Sequence, residues 1–322
     1  MTVYILTPGN STSGGPETLH QLAHTLNENN IECFTKYYGR KRNIPKHLSK
    51  YNIKEIDKIK DSKENIVICP ETATQYLKLY PKSRKVVWWL SVDFYKLYTE
   101  MTNLNFKNYF KKLFYNKFSI NFEKNNDYFH IYNCEYAKQF LLEKNVSLEK
   151  LYELCGPINT QYLKSDTEIK VGNIIAYNPK KGKEFTEKII KDSEDKGYNF
   201  DFIPIENMDT NQVSELLDNA KMYIDFGNFP GPERLPREAV IKNCLILTCT
   251  EGAAKNDIDV PIKKEYKFDK KSKNISKIIL KIDESINNYD EKIKDFEIYK
   301  QKVLSQVQTF EVDAVNLIKI LR

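Results

Sequence analysis

Short apolar runs of strand length alternate with amphipathic helices along this chain, and the alternation begins twice. The first series opens at Val3-Tyr-Ile-Leu6, passes through a Gly/Ser/Thr loop from Thr7 to Gly15, and enters a helix from Pro16 to Asn30. In that helix Leu19, Leu22, Ala23 and Leu26 recur at spacings of three and four. Strand-like runs follow at Glu32–Tyr37, Asn65–Cys69, Lys85–Leu90 and Tyr128–Tyr132. After Cys155-Gly-Pro157 the series restarts. It runs through Asn173–Tyr177, a helix from Lys183 to Asp195, Phe200–Pro204, a helix from Thr210 to Asn219, Met222–Phe226, and a helix from Leu235 to Lys242 leading into Cys244–Thr248. Strands alternating with helices make parallel sheets with crossovers, and 322 residues suffice for two such cores. The expected fold is therefore α/β: two Rossmann-like, doubly wound parallel-sheet domains, 1–156 and 157–300. A closing amphipathic helix, 301–322, carries Val312, Val315, Ile318 and Leu321 on its apolar face.

Composition removes several classes of function. Hydrophobic residues make up 41%, too many for a disordered chain, and no apolar run approaches the roughly 18 residues of a membrane span. The first residues have neither a basic region nor a small-residue cleavage site, so they read as a strand and not a signal peptide, and the expected location is cytoplasmic. Six cysteines sit mostly in apolar runs such as Ile66-Val-Ile-Cys69, which is core usage; no C-x-x-C pair and no zinc spacing among the four histidines supports a metal site. His20 and His24, four apart without the glutamate of a metalloprotease helix, read as helix-surface or site-edge residues. Asp257-Ile-Asp259 follows no apolar strand and reads as a loop. The net charge of +6 is spread along the chain, so nucleic acid is not an expected partner.

Two constellations have the residue types that chemistry needs. The loop from Pro8 to Glu17 leaves a strand and opens a helix, where free backbone N–H groups and the positive dipole end suit an anion; a tight strand-to-helix turn alone would also use its glycines. It is neither G-x-G-x-x-G nor a P-loop. In the stretch Asp225 to Leu247 a strand ends, a Gly/Pro loop presents Glu233 and Arg234, and a helix starts near Leu235 or Pro236 with Glu238 in its first turn. Glu238 can satisfy helix-end amides or accept from a ribose. Arg234 and Arg237 bring guanidinium forks suited to diphosphate oxygens.

The run Pro236-Arg-Glu-Ala-Val-Ile-Lys-Asn-Cys-Leu-Ile-Leu247 after a Gly/Pro loop resembles the donor-binding segment of the GT-B glycosyltransferases. In that resemblance Glu238 matches the second glutamate of the family's E-x7-E motif, associated with the nucleotide ribose. Pro230 stands where the first glutamate belongs, so its role is not carried over. Ala176-Tyr-Asn-Pro-Lys-Lys-Gly-Lys183 resembles the family's first strand end in the second domain, and Gly14 and Gly15 its first glycine loop. The resemblance implies a nucleotide-sugar donor with its diphosphate at Gly14, Gly15, Lys180, Lys181 and Arg234, Lys183 being a further candidate. The nucleotide would lie at Asn178, Glu233, Leu235, Pro236 and Glu238. It implies leaving-group stabilisation by cations and helix N-termini, with no metal or other cofactor, and a glycan or lipid-linked acceptor bound by the first domain. The implied product is a surface polysaccharide or other glycoconjugate. Asp93, just after a strand, is the candidate base, with helix capping as its other reading.

Residues 94–118 carry nine aromatics and five lysines with the single acid Glu100, and Phe106, Phe110, Leu113 and Phe114 share helical spacing. Such a stretch packs as core or a protein interface, or lies on an anionic membrane surface, where each lysine contributes about 1 kcal/mol. The second reading would place the protein peripherally on the inner face of the plasma membrane. A nucleotide-sugar epimerase would use the same phosphate residues, and a two-lobed sugar or anion receptor is the non-enzymatic alternative.

Overall fold

A computed structural model describes residues 1–9, 11, 13–39, 48–99, 119–164, 170 and 172–322. The chain divides into two compact units, one formed by Met1–Gly156 with Gln308–Arg322 and the other by Pro157–Val307.

The first unit holds strands β1 (Val3–Pro8), β2 (Cys33–Tyr38), β3 (Lys54–Glu55), β4 (Ile66–Pro70), β5 (Arg84–Trp89), β6 (Phe129–Tyr132) and β7 (Leu151–Glu153), with helices α1 (Gly14–Glu28), α2 (Val92–Thr99) and α3 (Glu135–Glu143). Its sheet runs β3-β2-β1-β4-β5-β6-β7, and every pairing is parallel. The strand order reverses between β1 and β4, which places a switch point at their carboxyl ends. Alternation along β5 serves both faces. Val86 and Trp88 enter a core with Val3, Ile5, Leu19, Leu22, Leu26 and Ile68, while Trp89 points into an aromatic cluster with Tyr95, Phe122, His130 and Phe140. Trp89 Nε1 donates to His130 Nδ1 at 3.0 Å, and burial lowers the His130 pKa to about 4, so this imidazole stays neutral as an acceptor.

Phe310, Ala314, Leu317, Ile318 and Leu321 complete the first core, and the Asp313 carbonyl accepts from Tyr152 at 3.0 Å. Val312 is exposed and Val315 half-buried. The buried stripe is therefore rotated from the one that the valines define, because it follows 310, 314, 317, 318 and 321.

The second unit holds β8 (Ile174–Tyr177), α4 (Lys183–Asp195), β9 (Asp201–Pro204), α5 (Thr210–Asn219), β10 (Met222–Asp225), α6 (Arg234–Ile241), β11 (Leu245–Cys249), β12 (Lys267–Phe268) and α7 (Ile275–Asn287). The last helix, α8 (Glu297–Ile320), begins in this unit's range. The sheet order is β12-β11-β10-β8-β9, again parallel throughout. Ile224 stands opposite Tyr177, so the loops after β8 and β10 leave the sheet side by side at its switch point. Asp209 caps α5 through the N–H groups of Asn211 and Gln212, with Gln212 reaching back in a capping box. The sequence reading had no strand at β3, β7 or β12. Two of these are two-residue pairings and the third spans three residues, lengths at which no alternation can register. All six cysteines are buried and free.

Candidate functional site

In the second unit the loop after β8 and the loop after β10 interlock through two glycines. Gly182, left-handed at φ 64°, precedes α4 in a conformation that glycine adopts without strain, and a Cβ there would overlap the Phe226 carbonyl. A Cβ on Gly227 would overlap the Lys181 side chain and lie 2.9 Å from Asp225 Oδ1. Gly182→Ala is therefore expected to cost about 1–3 kcal/mol of stability for the strained backbone alone, measured by denaturant unfolding; a loss below about 0.5 kcal/mol would contradict the tight approach.

The same loops bring opposite charges together. Lys181 Nζ pairs with Glu233 Oε2 at 2.6 Å, both side chains partly exposed. Asp225, buried at the end of β10, accepts from the Gly227 N–H and the Tyr223 hydroxyl, each at 2.8 Å. Burial raises its pKa, against those two donors and the fields of Lys181 and Lys270. Burial first, and then the charges of Asp225, Glu233 and Glu238, push the Tyr223 phenol well up. Asn178 Oδ1 accepts from the Lys180 N–H at 3.0 Å and so shapes the turn after β8.

Of the residues expected here, Asn178, Lys180, Lys181 and Lys183 lie in or just after the β8 loop, and Glu233, Arg234, Leu235, Pro236 and Glu238 at or inside α6. Glu233 is the residue before the helix and Arg234 its first. Glu238 is the fifth helical residue and is buried, so it belongs to the second turn and not the first. Arg237 is buried as well. Asp225, whose position at the strand end is plain in the sequence, was missed as the residue that fixes this loop. Its signal is an acid ending a fully apolar strand.

Gly14, Gly15 and Asp93 belong to the first unit. Gly14 is the first residue of α1, and a Cβ on Gly15 would touch Leu90 Cδ1 at 3.5 Å. Asp93 lies in the first turn of α2, where Ser91 Oγ takes the Phe94 N–H at 3.3 Å. Ser91 is thus the residue that caps. Asp93 Oδ1 instead accepts from the Tyr136 hydroxyl at 2.7 Å. His20, read as a surface or edge residue, is buried between the Pro16 carbonyl at 2.6 Å and the Tyr37 hydroxyl at 2.8 Å; a histidine with two local partners can turn inward on an amphipathic helix. Glu71 was missed altogether. Burial raises its carboxyl to about 7 at the end of β4, beside the switch point.

Asp257 pairs with Lys267 at 2.9 Å and Asp259 accepts from Asn256 at 2.8 Å. Among the described residues no group of three or more histidine, cysteine, aspartate or glutamate side chains is arranged to hold a metal. Of the segment 94–118, residues 100–118 lie outside the described ones. In the described part Tyr95 is buried, while Phe94 and Leu97, three apart, are each 51% exposed. Among the described residues no helix is long and apolar enough to cross a membrane.

No protein-family model matches the chain, and no curated protein matches it in sequence. Solved structures are similar to it in fold. TarM is similar with a TM-score of 0.54 and 16% identity over 80% of this chain, which spans only 55% of TarM's length. HepE of Anabaena in complex with UDP gives 0.68 and 9% identity, covering 99% of this chain and 100% of HepE. The pneumococcal O-GlcNAc transferase GtfA, in complex with UDP and GlcNAc, gives 0.65 and 9% over 100% of this chain and 99% of GtfA. Likeness at such identity speaks for architecture, and with two parallel, doubly wound sheets in the order of Rossmann-like units it makes this a protein of the GT-B fold.

Proposed function

We propose that the protein is a glycosyltransferase that moves a sugar from a nucleoside-diphosphate sugar to a glycan or lipid-linked acceptor. The observation that carries this reading is the interlocked pair of loops at the second unit's switch point, where Lys181, Glu233 and the start of α6 meet in one place. Ligands of open α/β sheets bind outside the strand carboxyl ends at that point. The full-length likeness to HepE and GtfA, both solved with UDP, supports UDP as the nucleotide.

In this reading Lys181, Lys180 and Arg234 hold the diphosphate, with the N–H groups at the start of α6 adding to their field. Their positive charge stabilises the departing UDP, so the carbon–oxygen bond to the sugar breaks without a metal ion or other cofactor. Glu238 accepts from the ribose, with Asn178, Glu233, Leu235 and Pro236 around the nucleotide. The first unit takes the acceptor, with Gly14 and Gly15 near phosphate, and Asp93 draws the proton from the attacking hydroxyl. The ion pair between Lys181 and Glu233 has a consequence for binding: the diphosphate must displace or share the carboxylate on Lys181. A surface polysaccharide or other glycoconjugate is the proposed product. The exposed Phe94 and Leu97 support a peripheral site of action on the inner face of the plasma membrane.

Thermal unfolding against UDP, GDP, dTDP and CMP, each with magnesium or with EDTA, tests the reading. A ligand that binds only the folded state adds RT ln(1 + [L]/Kd), about 2.7 kcal/mol at a hundredfold excess over Kd. Stabilisation by UDP that persists in EDTA and disappears in Glu238→Ala is the expected outcome. No stabilisation by any nucleotide would remove the donor site and favour a receptor.

A further inference from the structure

We infer that Glu71 and Asn133 are positioning residues that clamp the Leu90–Ser91 turn and thereby set the carboxylate of Asp93. The inference rests on the transferase reading, in which Asp93 is the acceptor's base.

The clamp grips one residue from two strands. Glu71 stands at the carboxyl end of β4 with 3% of its surface exposed, and its Oε2 accepts from the Leu90 N–H at 2.9 Å. The Ser91 N–H and its own N–H also favour the charged form of that carboxylate. From the end of β6, Asn133 Nδ2 donates to the Leu90 carbonyl at 3.1 Å. Both backbone groups of Leu90 are thus held by side chains where water would serve an exposed turn. Placing a carboxylate in the interior for this purpose is costly, since burial alone opposes its charge. Packing would be served more cheaply by an apolar side chain or an amide.

What the clamped turn leads to gives the arrangement its sense. Ser91 Oγ takes the Phe94 N–H and so starts α2, and two residues past Ser91 stands Asp93. Tyr136, at the start of α3, donates to Asp93 Oδ1 at 2.7 Å. The carboxylate is therefore set by the turn on one side and by a phenol on the other. Gly15 lies against the clamped Leu90, so the first glycine loop takes its place from the same residue. Neither Glu71 nor Asn133 need touch substrate to matter, because a base misplaced by about 1 Å can lose a hundredfold in rate. In Glu71→Gln an NH2 group would take the place of one carboxylate oxygen, turning a donor toward donors.

The test uses the full chain as wild type, Glu71→Gln, Asn133→Ala, Asp93→Asn and the double variant Glu71→Gln/Asp93→Asn. One measurement is UDP release from UDP-glucose, separated into kcat and KM; the other is the titration of the Asp93 carboxyl by carbon-13 NMR. Expected are a fall in kcat of at least tenfold in Glu71→Gln, a smaller fall in Asn133→Ala, and KM within twofold of wild type. The double variant is expected to be no slower than Asp93→Asn alone. The Asp93 titration should move in both clamp variants. An unmoved Asp93 titration in both, or a loss in the double variant equal to the product of the single losses, overturns the inference. Should the wild type neither bind UDP nor turn over UDP-glucose, the transferase reading fails, and the NMR titration still decides whether the clamp sets Asp93. Asn133→Ala keeps that decision open if Glu71→Gln does not fold.

Discussion

Replacing Asp218 with alanine is expected to destabilise the second unit by about 3–5 kcal/mol, because it strands a buried ammonium. Lys242 is 2% exposed and its Nζ meets Asp218 Oδ2 at 2.7 Å, with the Lys164 carbonyl as a second acceptor. A second ammonium lies close by. Lys170 Nζ donates to the Leu217 and Ala220 carbonyls at 2.6 Å each, closing the last turn of α5. Burial lowers the Lys170 pKa, Asp218 opposes that shift, and Lys242 adds to it. Without Asp218 the two cations face one another with less to hold them, and the end of α5 loosens. Asp218→Leu combined with Lys242→Met should recover most of the loss, since well-packed apolar pairs replace buried ion pairs at little cost. Denaturant unfolding of the three proteins decides the matter. A loss under about 1 kcal/mol in Asp218→Ala would mean that Lys242 finds water.

The second large effect is a pH dependence from Glu71. Burial raises its carboxyl from an ordinary 4.5 to about 7, despite the Leu90, Ser91 and Glu71 N–H groups that favour the charged form. Tyr38 and Cys69 are the titratable neighbours, and both are pushed upward by burial and by the charge of Glu71. A raised acid binds its proton more tightly in the folded state. Its contribution is therefore harmless below about 4.5, and stability is lost as pH rises from there through about 7. At 1.36 kcal/mol per unit, the loss between pH 5 and pH 8 is about 2–3 kcal/mol. Glu71→Gln removes the titration, so its unfolding free energy should fall less than that of wild type over this range, by the same amount. Parallel curves would show that Glu71 ionises freely.

The sheets were legible because parallel strands buried on both faces are written as apolar runs. Val3–Leu6, Ile66–Cys69, Val86–Trp89, Met222–Ile224 and Leu245–Leu247 are each nearly continuous, and each is fully buried. Helix faces were legible where spacing alone decides them, as in α1 with Leu19, Leu22, Ala23 and Leu26. The rotated stripe of α8 was not, since Phe310, Ala314 and Leu317 compete with the valines for the inward face and only packing chooses. For the candidate site, the Gly/Pro loop before α6 and the lysines after β8 could be read as one neighbourhood through the family resemblance. Local spacing could not show that Lys181 meets Glu233, 52 residues on, because that contact follows from strand order. Helix onset was misjudged by one or two residues, enough to move Glu238 from a first turn to a second. Glu71 left no signal beyond an acid after an apolar strand, and the donors that define it come from the next loop of the sheet.

The proposed transferase stands or falls with a nucleoside-diphosphate site at the second unit's switch-point loops. Calorimetric titration of UDP into the full chain in EDTA, repeated with Lys181→Ala, tests it most directly. Saturable 1:1 binding without metal is expected, weakened about tenfold or more in Lys181→Ala through the loss of a charge-assisted contact of roughly 1.5–3 kcal/mol. Absence of binding by wild type, or equal affinity in the variant, would contradict the placement of the diphosphate at Lys181.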